Sequence, residues 1–266
     1  MSERPLFERI RAAAVKTGTV SAWWLGGSGF AFKTPGGTVL YVDPYLSNCV
    51  KEMFGAGRAF PPPIDAADVR AAAVISTHWH EDHLDPVAIP IIAKNDPATM
   101  FIMPPSAISH AIHICVPRAR TQSLTAGQQL KAGEFNIVQV PARHDAGIPG
   151  WEVPDAMGVI LEAQNLRIYI SGDTEYDTRI RNLKHQKLDA GIFCINGVSG
   201  NMDAHEAALL AWQLRVRTVI PMHHHLWDKN DENATLDPAL MSGTYARLGG
   251  RGNFVTPELG KEIVIA

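Results

Sequence analysis

Short apolar runs alternate with segments of helical periodicity along most of the 266-residue chain. The apolar runs have the length of buried β-strands, and each stops at glycine, proline or a polar residue. Strands are predicted at residues 38–42, 71–75, 99–103, 129–132, 135–141, 158–162, 166–170, 188–195, 218–221 and 262–265. Helices are predicted at residues 5–16, 86–94, 202–214 and 238–247, and in a segment that begins at Pro104. This alternation predicts an α/β fold.

Two further segments have distinctive patterns. Residues 20–32 carry apolar and aromatic positions on both sides of Gly26-Gly27, which predicts two short strands with Trp23 and Trp24 in a core or an interface. A phosphate-binding loop is the weaker interpretation, because no Lys-Ser/Thr follows and the next segment has a strand pattern. Residues 46–63 have no regular pattern and end in three prolines, so a loop is predicted there, as a candidate wall of a substrate pocket.

Four side chains that bind metals well lie within the segment Thr77-His78-Trp79-His80-Glu81-Asp82-His83. The apolar run before it predicts a buried strand, and Asp85-Pro86 after it is typical of a helix start. We therefore expect this segment, called the heptad below, on a tight strand-to-helix loop. Carboxylates and imidazoles packed so closely favour a bound cation, because burying them unpaired is costly. The alternative, a histidine-rich surface loop, is disfavoured by the residue types, their order and the preceding strand.

The order His-x-His-x-Asp-His resembles the signature of the metallo-β-lactamase-fold hydrolases. The resemblance implies an αββα four-layer sandwich with the metal site at one edge of its two sheets. In that family the first two histidines of the signature bind one metal, and the Asp-His pair binds a second. Carried over, His78 and His80 belong to one site, and Asp82 and His83 to the other.

The family's remaining ligands follow later strands. His144 comes just past residues 135–141 and matches the third ligand of the first site. Asp173, in Ser171-Gly172-Asp173, matches the carboxylate that bridges both ions. His223 follows strand 218–221 and matches the last ligand of the second site, with His224 as the alternative.

Other polar residues are candidates for supporting roles. Asp43 ends strand 38–42 and is expected either to support a metal-bound histidine or to cap its own turn. Candidate contacts to the substrate or to the metal ligands are Asn196, His224 and His225. His110 and His113 lie on the helix after Pro104 and are expected to stand apart from the site.

A closer resemblance extends over roughly residues 20–230. It is carried by the heptad and by Trp23-Trp24-Leu25-Gly26, Val153-Pro154-Asp155-Ala156-Met157, Ser171-Gly172-Asp173 and Ile220-Pro221-Met222-His223-His224. In this order they are similar to the L-ascorbate-6-phosphate lactonase branch of the superfamily, which implies the opening of a phosphorylated sugar lactone. Members of that branch are longer around residues 46–63 and at the C-terminus, and their phosphate-recognising residues do not carry over.

The ligand set that the resemblance implies contains nitrogen and oxygen donors and no thiolate. Such a set suits Zn²⁺ or Mn²⁺, also fits Fe²⁺, and argues against Cu(I). We expect two divalent metal ions, which lower the pKa of bound water toward about 7 and so supply a hydroxide nucleophile. Asp82 and Asp173 are the predicted catalytic residues: Asp82 orients the water or accepts its proton, and Asp173 bridges the ions.

These features predict a metal-dependent hydrolase of a small ester, with a (phospho)sugar lactone such as L-ascorbate 6-phosphate as the most specific form. One alternative is a phosphodiesterase of the same superfamily. An alternative from another class is a metal-binding regulator without turnover, which seven intact ligand positions disfavour.

The composition of the chain limits the kinds of partner that are expected. The chain has 24 Lys and Arg against 27 Asp and Glu, a formal net charge of −3, which leaves no basic footprint for nucleic acid. No apolar run is long enough to span a bilayer, the N-terminus lacks the apolar core of a signal peptide, and the three cysteines are far apart, so a cytoplasmic protein with buried free thiols is expected. We expect a single domain over residues 1–266, with a small-molecule substrate and no membrane partner. The sequence does not decide whether the chain forms a homo-oligomer.

Overall fold

The computed structural model describes residues 4–145, 149–198, 200–228 and 236–266. Its helices are α1 (Leu6–Ala12), α2 (Cys49–Phe54), α3 (Ala88–Asn95), α4 (Pro105–His113), α5 (Ala204–Leu214) and α6 (Pro238–Arg247). Its strands are β1 (Val20–Gly26), β2 (Gly29–Lys33), β3 (Val39–Val42), β4 (Ala73–Ile75), β5 (Met100–Met103), β6 (Thr121–Ser123), β7 (Gln129–Ala132), β8 (Phe135–Pro141), β9 (Met157–Ala163), β10 (Leu166–Ile170), β11 (Ala190–Cys194), β12 (Thr218–Met222), β13 (Asn253–Phe254) and β14 (Glu262–Ile265).

The strands form two mixed sheets. The first has the order β14-β1-β2-β3-β4-β5-β6, and the second has the order β13-β12-β11-β10-β9-β8-β7. In the first sheet β3 to β6 are parallel, and in the second β10 to β13 are parallel. Because parallel strands end at the same edge of a sheet, the residues that follow β3 and β4, and those that follow β10, β11 and β12, are gathered at one edge of each sheet.

The inner strands of the first sheet are buried on both faces. Alternate side chains of a strand point to opposite faces, and in β1 Ala22 and Trp24 pack between the sheets while Trp23 and Leu25 pack on the helix side. Leu6, Ile89 and Ala107, from α1, α3 and α4, belong to the same helix-side cluster. Helix α5 packs on the second sheet in the same way. The predicted αββα sandwich is therefore confirmed.

The structure differs from the predicted elements in a few places. Residues 46–63 are not all loop, because α2 occupies Cys49–Phe54, a helix too short to produce a clear periodicity in the sequence. The helix predicted from Pro86 begins at Ala88, although Asp85 Oδ1 does accept hydrogen bonds from Val87 N and Ala88 N, each at 2.9 Å. The short edge strands β6 and β13 were not predicted, because two or three residues carry no alternation signal.

The cysteines agree only in part with the prediction. Cys49 and Cys194 are buried free thiols, whereas Cys115 is free but exposed. None of the helices in the described ranges is long and apolar enough to cross a bilayer.

Candidate metal centre

The heptad follows β4 and is organised by the carboxylate of Asp43, which follows the neighbouring strand β3. Asp43 Oδ1 accepts a hydrogen bond from Thr77 N at 2.7 Å, and Oδ2 accepts one from Thr77 Oγ1 at 2.8 Å. His83 Nδ1 lies 3.0 Å from the same Oδ2 atom. One buried carboxylate therefore joins the first and the last residue of the heptad and holds the loop closed.

Three histidines converge at one side of the site. His78 Nε2 lies 2.9 Å from His80 Nδ1, and His144 Nε2 lies 3.2 Å from that same atom. All three side chains are buried. His144 reaches the heptad because β8, which it follows, ends at the same edge as β10.

The other ring nitrogen of each of these histidines meets a hydrogen-bond acceptor outside the cluster. His80 Nε2 lies 3.1 Å from the carbonyl of Trp151, and His144 Nδ1 lies 2.9 Å from the carbonyl of Gly200. His78 Nδ1 lies 3.2 Å from Thr77 Oγ1, whose hydrogen is donated to Asp43. Bonds of this kind fix the tautomer, so three nitrogen lone pairs face one another in a buried space.

Two histidines and two carboxylates converge beside this group. His83 Nε2 lies 3.6 Å from Asp82 Oδ2 and 3.5 Å from Asp173 Oδ2. His223 Nε2 lies 3.3 Å from Asp82 Oδ2 and 3.4 Å from Asp173 Oδ2. These distances exceed those of good hydrogen bonds, and His83 Nε2 is buried without one among the described residues. They match the spacing of about 3.4 Å between atoms that share a tetrahedral ion at about 2.1 Å, so the donor set fits a divalent metal.

Burial sets the charge of His78 and His80. It lowers the pKa of His80 to about 4 and the pKa of His78 well below its ordinary value. Both imidazoles are therefore neutral at pH 7, the form that donates a lone pair to a cation.

Opposite charges set the protonation of the second group. Burial opposes the charged form of His223, but the carboxylates of Asp173 and Asp82 outweigh it and raise its pKa to about 10. Burial likewise opposes the charge on Asp82, yet His83 and His223 bring the pKa of that carboxyl down to about 2. Without a metal, protons on the two imidazoles balance the two carboxylates. A divalent ion would take the place of these protons.

The backbone at the end of β12 decides which of the successive histidines joins the carboxylates. His223 adopts the left-handed conformation, with φ of 59°, and its N–H donates to the carbonyl of Gly27 at 2.8 Å. His224 stacks instead on Trp24, with ring centroids 4.6 Å apart, and His225 is exposed. The structure therefore brings His223, and neither of its two neighbours, to Asp82 and Asp173.

Asn196, at the end of β11, contacts the outer nitrogen of His223. Its Nδ2 atom lies 3.3 Å from His223 Nδ1, while its buried Oδ1 atom has no partner among the described residues. Turning the amide by half a revolution would let Oδ1 accept from Nδ1–H, which would leave the Nε2 lone pair free for an ion. Asn196 thus fits the supporting role that the sequence suggested.

Asp173 owes its position to the glycine before it. Gly172 has φ of 59°, and a Cβ there would lie 2.7 Å from the carbonyl of Met157, so only glycine fits this turn. Asn201 Nδ2 donates to Asp173 Oδ2 at 2.7 Å, and Ser28 Oγ lies 3.5 Å from Oδ1. Sequence reasoning missed the contact with Asn201, because a lone asparagine in a loop carries no signal of what it will meet.

The sequence also offered no sign of the carbonyl acceptors of Trp151 and Gly200, since any residue type supplies a carbonyl.

His110 is closer to the site than expected. Its ring stacks on Trp79 with ring centroids 4.7 Å apart, and Trp79 packs edge-on against His80 with centroids 4.6 Å apart. It does not stand apart from the heptad, because α4 packs beside the loop.

Comparisons with known proteins show the family of this chain. Residues 22–223 match the family described as "Beta-lactamase superfamily domain". The chain is 32% identical over 212 residues to a "UPF0173 metal-dependent hydrolase" of Solibacter usitatus, which covers 75% of this chain and 83% of that protein. It is 24% identical over 262 residues to "Probable L-ascorbate-6-phosphate lactonase UlaG" of Escherichia fergusonii, over 84% of this chain and 74% of that protein.

Among solved structures, the fold is similar to that of Igni18, a metallo hydrolase from the archaeon Ignicoccus hospitalis. The TM-score is 0.70 at 20% identity, over 93% of this chain and 99% of that protein. The metal-compatible cluster at the edge of two sheets and the match over most of the chain lead to one conclusion. The chain belongs to the β-lactamase superfamily domain family and is a metal-dependent hydrolase of the metallo-β-lactamase superfamily.

Proposed function

We propose that this hydrolase opens a small ester or lactone, with a (phospho)sugar lactone as its substrate class, at a centre of two divalent metal ions. One observation carries the proposal. The histidines of the site each turn one ring nitrogen to a supporting group and the other to a shared buried space: His78, His80, His83, His144 and His223. Rings held in this way are prepared to bind cations rather than to exchange protons with water.

The ligand atoms converge in separate groups, which assigns the ligands to the two ions. His78, His80 and His144 would hold one ion, since their nitrogens lie within reach of a common point. Asp82, His83 and His223 would hold the second. The carboxylate of Asp173, which groups with His78 and His83, would serve both, as a carboxylate has an oxygen for each.

When bound, such ions supply a nucleophile at neutral pH and stabilise negative charge that develops on the substrate oxygen. Asp82 is the most exposed of the surrounding ligands, with 18% of its side chain accessible against 5% or less for His83, His223 and Asp173. It therefore lies where substrate and water enter. We assign Asp82 the task of orienting the attacking water and accepting its proton.

The donor atoms favour Zn²⁺, Mn²⁺ or Fe²⁺. Cys194, at the end of β11, is the cysteine whose pKa responds to the charge of Asp173, but burial raises the pKa of its thiol to about 12. Its Sγ atom lies 3.5 Å from the carbonyl of Thr174, to which the thiol donates. A neutral thiol engaged in this way does not compete as a ligand.

The lactone substrate is supported by the relatives named as lactonases, which match over 84% of the chain. A cleft of about 220 Å³ adjoins His144 and is lined by side chains of both charges, Arg143 and Arg179 beside Asp145 and Glu152. Arg143 pairs with Glu175 and Arg179 pairs with Asp177, and both guanidinium groups are more than half exposed. A phosphate on the substrate would contact these two guanidinium groups in exchange for their carboxylate partners, whereas an unphosphorylated lactone would not need them.

The test is a substrate panel with the purified protein loaded with Zn²⁺ or Mn²⁺. The panel compares sugar lactones with and without a 6-phosphate, simple aryl esters, a phosphodiester and a phosphomonoester. The proposal expects lactone opening that is lost in Asp173→Asn, and a KM for the phosphorylated lactone that rises in Arg143→Ala while the unphosphorylated one is unaffected.

Other outcomes would replace the proposal. Turnover restricted to the phosphodiester would make the chain a phosphodiesterase. Metal binding without turnover of any compound in an extended panel would favour a regulator.

A further inference from the structure

A second, chemically different cleft lies at the far end of the second sheet. It has a volume of about 790 Å³ and is formed by the C-terminal ends of α5 and α6 and by the short helical turn Ile180–Gln186. Its lining includes Arg181, Lys184, Trp212, Arg215, Arg217 and Arg251. Within the part of the chain that the structure describes, no aspartate or glutamate lines it.

The cations of this cleft are largely unpaired. Arg217 Nη1 pairs with Asp189 Oδ1 at 3.1 Å. In the described ranges, the side chains of Arg181, Lys184, Arg215 and Arg251 make neither a hydrogen bond nor an ion pair. The whole chain has a net charge of −3, so this concentration of positive charge is local. A concave surface lined by one sign of charge concentrates ions of the opposite sign, and the cleft is thus suited to an anion.

An exposed aromatic ring adjoins the cations. Trp212, in the last turn of α5, is 42% exposed, although a tryptophan is usually buried more deeply. Its ring stacks on no other aromatic side chain among the described residues. A free indole face beside arginines is the combination that holds a planar heterocycle carrying phosphate.

The floor of the cleft is closely packed. Gly252 N donates to the hydroxyl of Tyr245 at 2.9 Å. A Cβ at Gly250 would lie 2.4 Å from Cε1 of the same tyrosine, so the turn between α6 and β13 rests directly on that ring. The floor of the cleft is therefore formed before any ligand arrives, which lowers the cost of binding.

This cleft is separate from the metal centre. Arg217 precedes the five-residue strand β12 and His223 follows it, and the six steps along the chain between them span about 20 Å at about 3.3 Å per residue. A single small substrate cannot occupy both places. Binding of a ligand in the cleft is consequently independent of the reaction proposed for the metal centre.

We propose that this cleft binds a nucleotide, with the phosphates on the arginine and lysine side chains and the base on Trp212. Several unpaired cations favour a nucleoside diphosphate over a monophosphate, because each added phosphate gains a charge-assisted contact. The ligand would be an effector or second ligand of the enzyme rather than the compound hydrolysed at the metal centre.

Calorimetric titration of the metal-loaded protein tests the proposal, with ADP, AMP and ribose 5-phosphate as probes. We expect ADP to bind more tightly than AMP, and AMP more tightly than ribose 5-phosphate, which has the same phosphate but no base. Arg181→Ala and Arg251→Ala should each weaken ADP binding by about fivefold or more. Trp212→Ala should weaken AMP binding by about tenfold while leaving ribose 5-phosphate unchanged.

Lys131→Ala is the matched control, since it removes a cation from β7 at the opposite edge of the second sheet, and it should bind ADP like the parent. Absence of ADP binding at millimolar concentration would overturn the proposal. So would equal binding of AMP and ribose 5-phosphate, or an AMP affinity that is unchanged in Trp212→Ala. ADP binding that disappears in Asp173→Asn but persists in Arg251→Ala would place the nucleotide at the metal centre, and binding of oligonucleotides alone would also overturn it.

Discussion

The Oδ2 atom of Asp43 lies 3.0 Å from the Nδ1 atom of His83, and neither side chain has any exposed surface. The same carboxylate accepts two hydrogen bonds from Thr77. Asp43 therefore holds the imidazole by the nitrogen that is turned away from Asp82 and Asp173, and it fixes the orientation of His83 without facing the metal-compatible space.

Asp43→Asn should lower both metal affinity and kcat/KM by about 10–100-fold, as is typical for groups that orient a ligand. The amide can still accept from Thr77, but its NH₂ group would meet His83 Nδ1–H, so the imidazole would lose its tautomer preference. Metal content by elemental analysis and kcat/KM on the best substrate of the panel measure the two effects. Asp237→Asn, at the exposed N-cap of α6 where asparagine caps equally well, should change neither.

Asp173→Asn should be more damaging, with kcat/KM reduced on the order of 10²-fold or more. The carboxylate lies between His83 and His223, and an amide in its place has no charge to share between two cations. Steady-state kinetics with metal content measured alongside would show the loss. If Asp43→Asn impairs turnover more than Asp173→Asn while both metals stay bound, the bridging role of Asp173 is wrong.

The histidines outside the centre should differ in their importance. His113→Ala and His185→Ala should leave kcat/KM within about twofold, since surface substitutions usually perturb little. His110→Ala should have a larger, several-fold effect, because it removes the ring on which Trp79 stacks beside His80. Steady-state kinetics of the three variants measure these changes in kcat/KM, and circular dichroism verifies the fold. A large loss in His113→Ala with the fold intact would show that the site has been misplaced.

The stability of the metal-free protein should decrease as the pH rises above about 6.5. The pKa of His223 is raised to about 10 in the folded chain, above the ordinary value of 6.5. Between these values the native state binds one proton more than the unfolded state, so the stabilisation is complete below about pH 6.5 and is lost as the pH approaches 10.

Urea unfolding of chelator-treated protein at pH 6.5, 7.5 and 8.5 measures this dependence. As the pH rises, the free energy of unfolding of the parent should fall by up to about 1.4 kcal/mol per pH unit more than that of His223→Gln. His185→Gln, which removes an exposed histidine, should follow the parent. Equal slopes for the parent and His223→Gln would contradict the prediction.

The sequence by itself determined the α/β class, most of the strands and the heptad. Its ligand-type residues are so close along the chain that a single loop between β4 and α3 must bring them together, whatever the rest of the fold does. The four-layer arrangement and the distant ligands came from the family resemblance. Local periodicity did not predict α2, β6 or β13, because two to six residues are too few to show a period.

Only the tertiary structure decided which distant residues meet. His144, Asp173 and His223 follow separate strands, and their convergence depends on the two sheets ending at one edge. The choice of His223 over His224 rests on a left-handed backbone held by the carbonyl of Gly27. The supporting carbonyls and the unpaired cations of the second cleft likewise arise from contacts between distant segments. Such contacts depend on where the chain packs, which the identity of a residue does not specify.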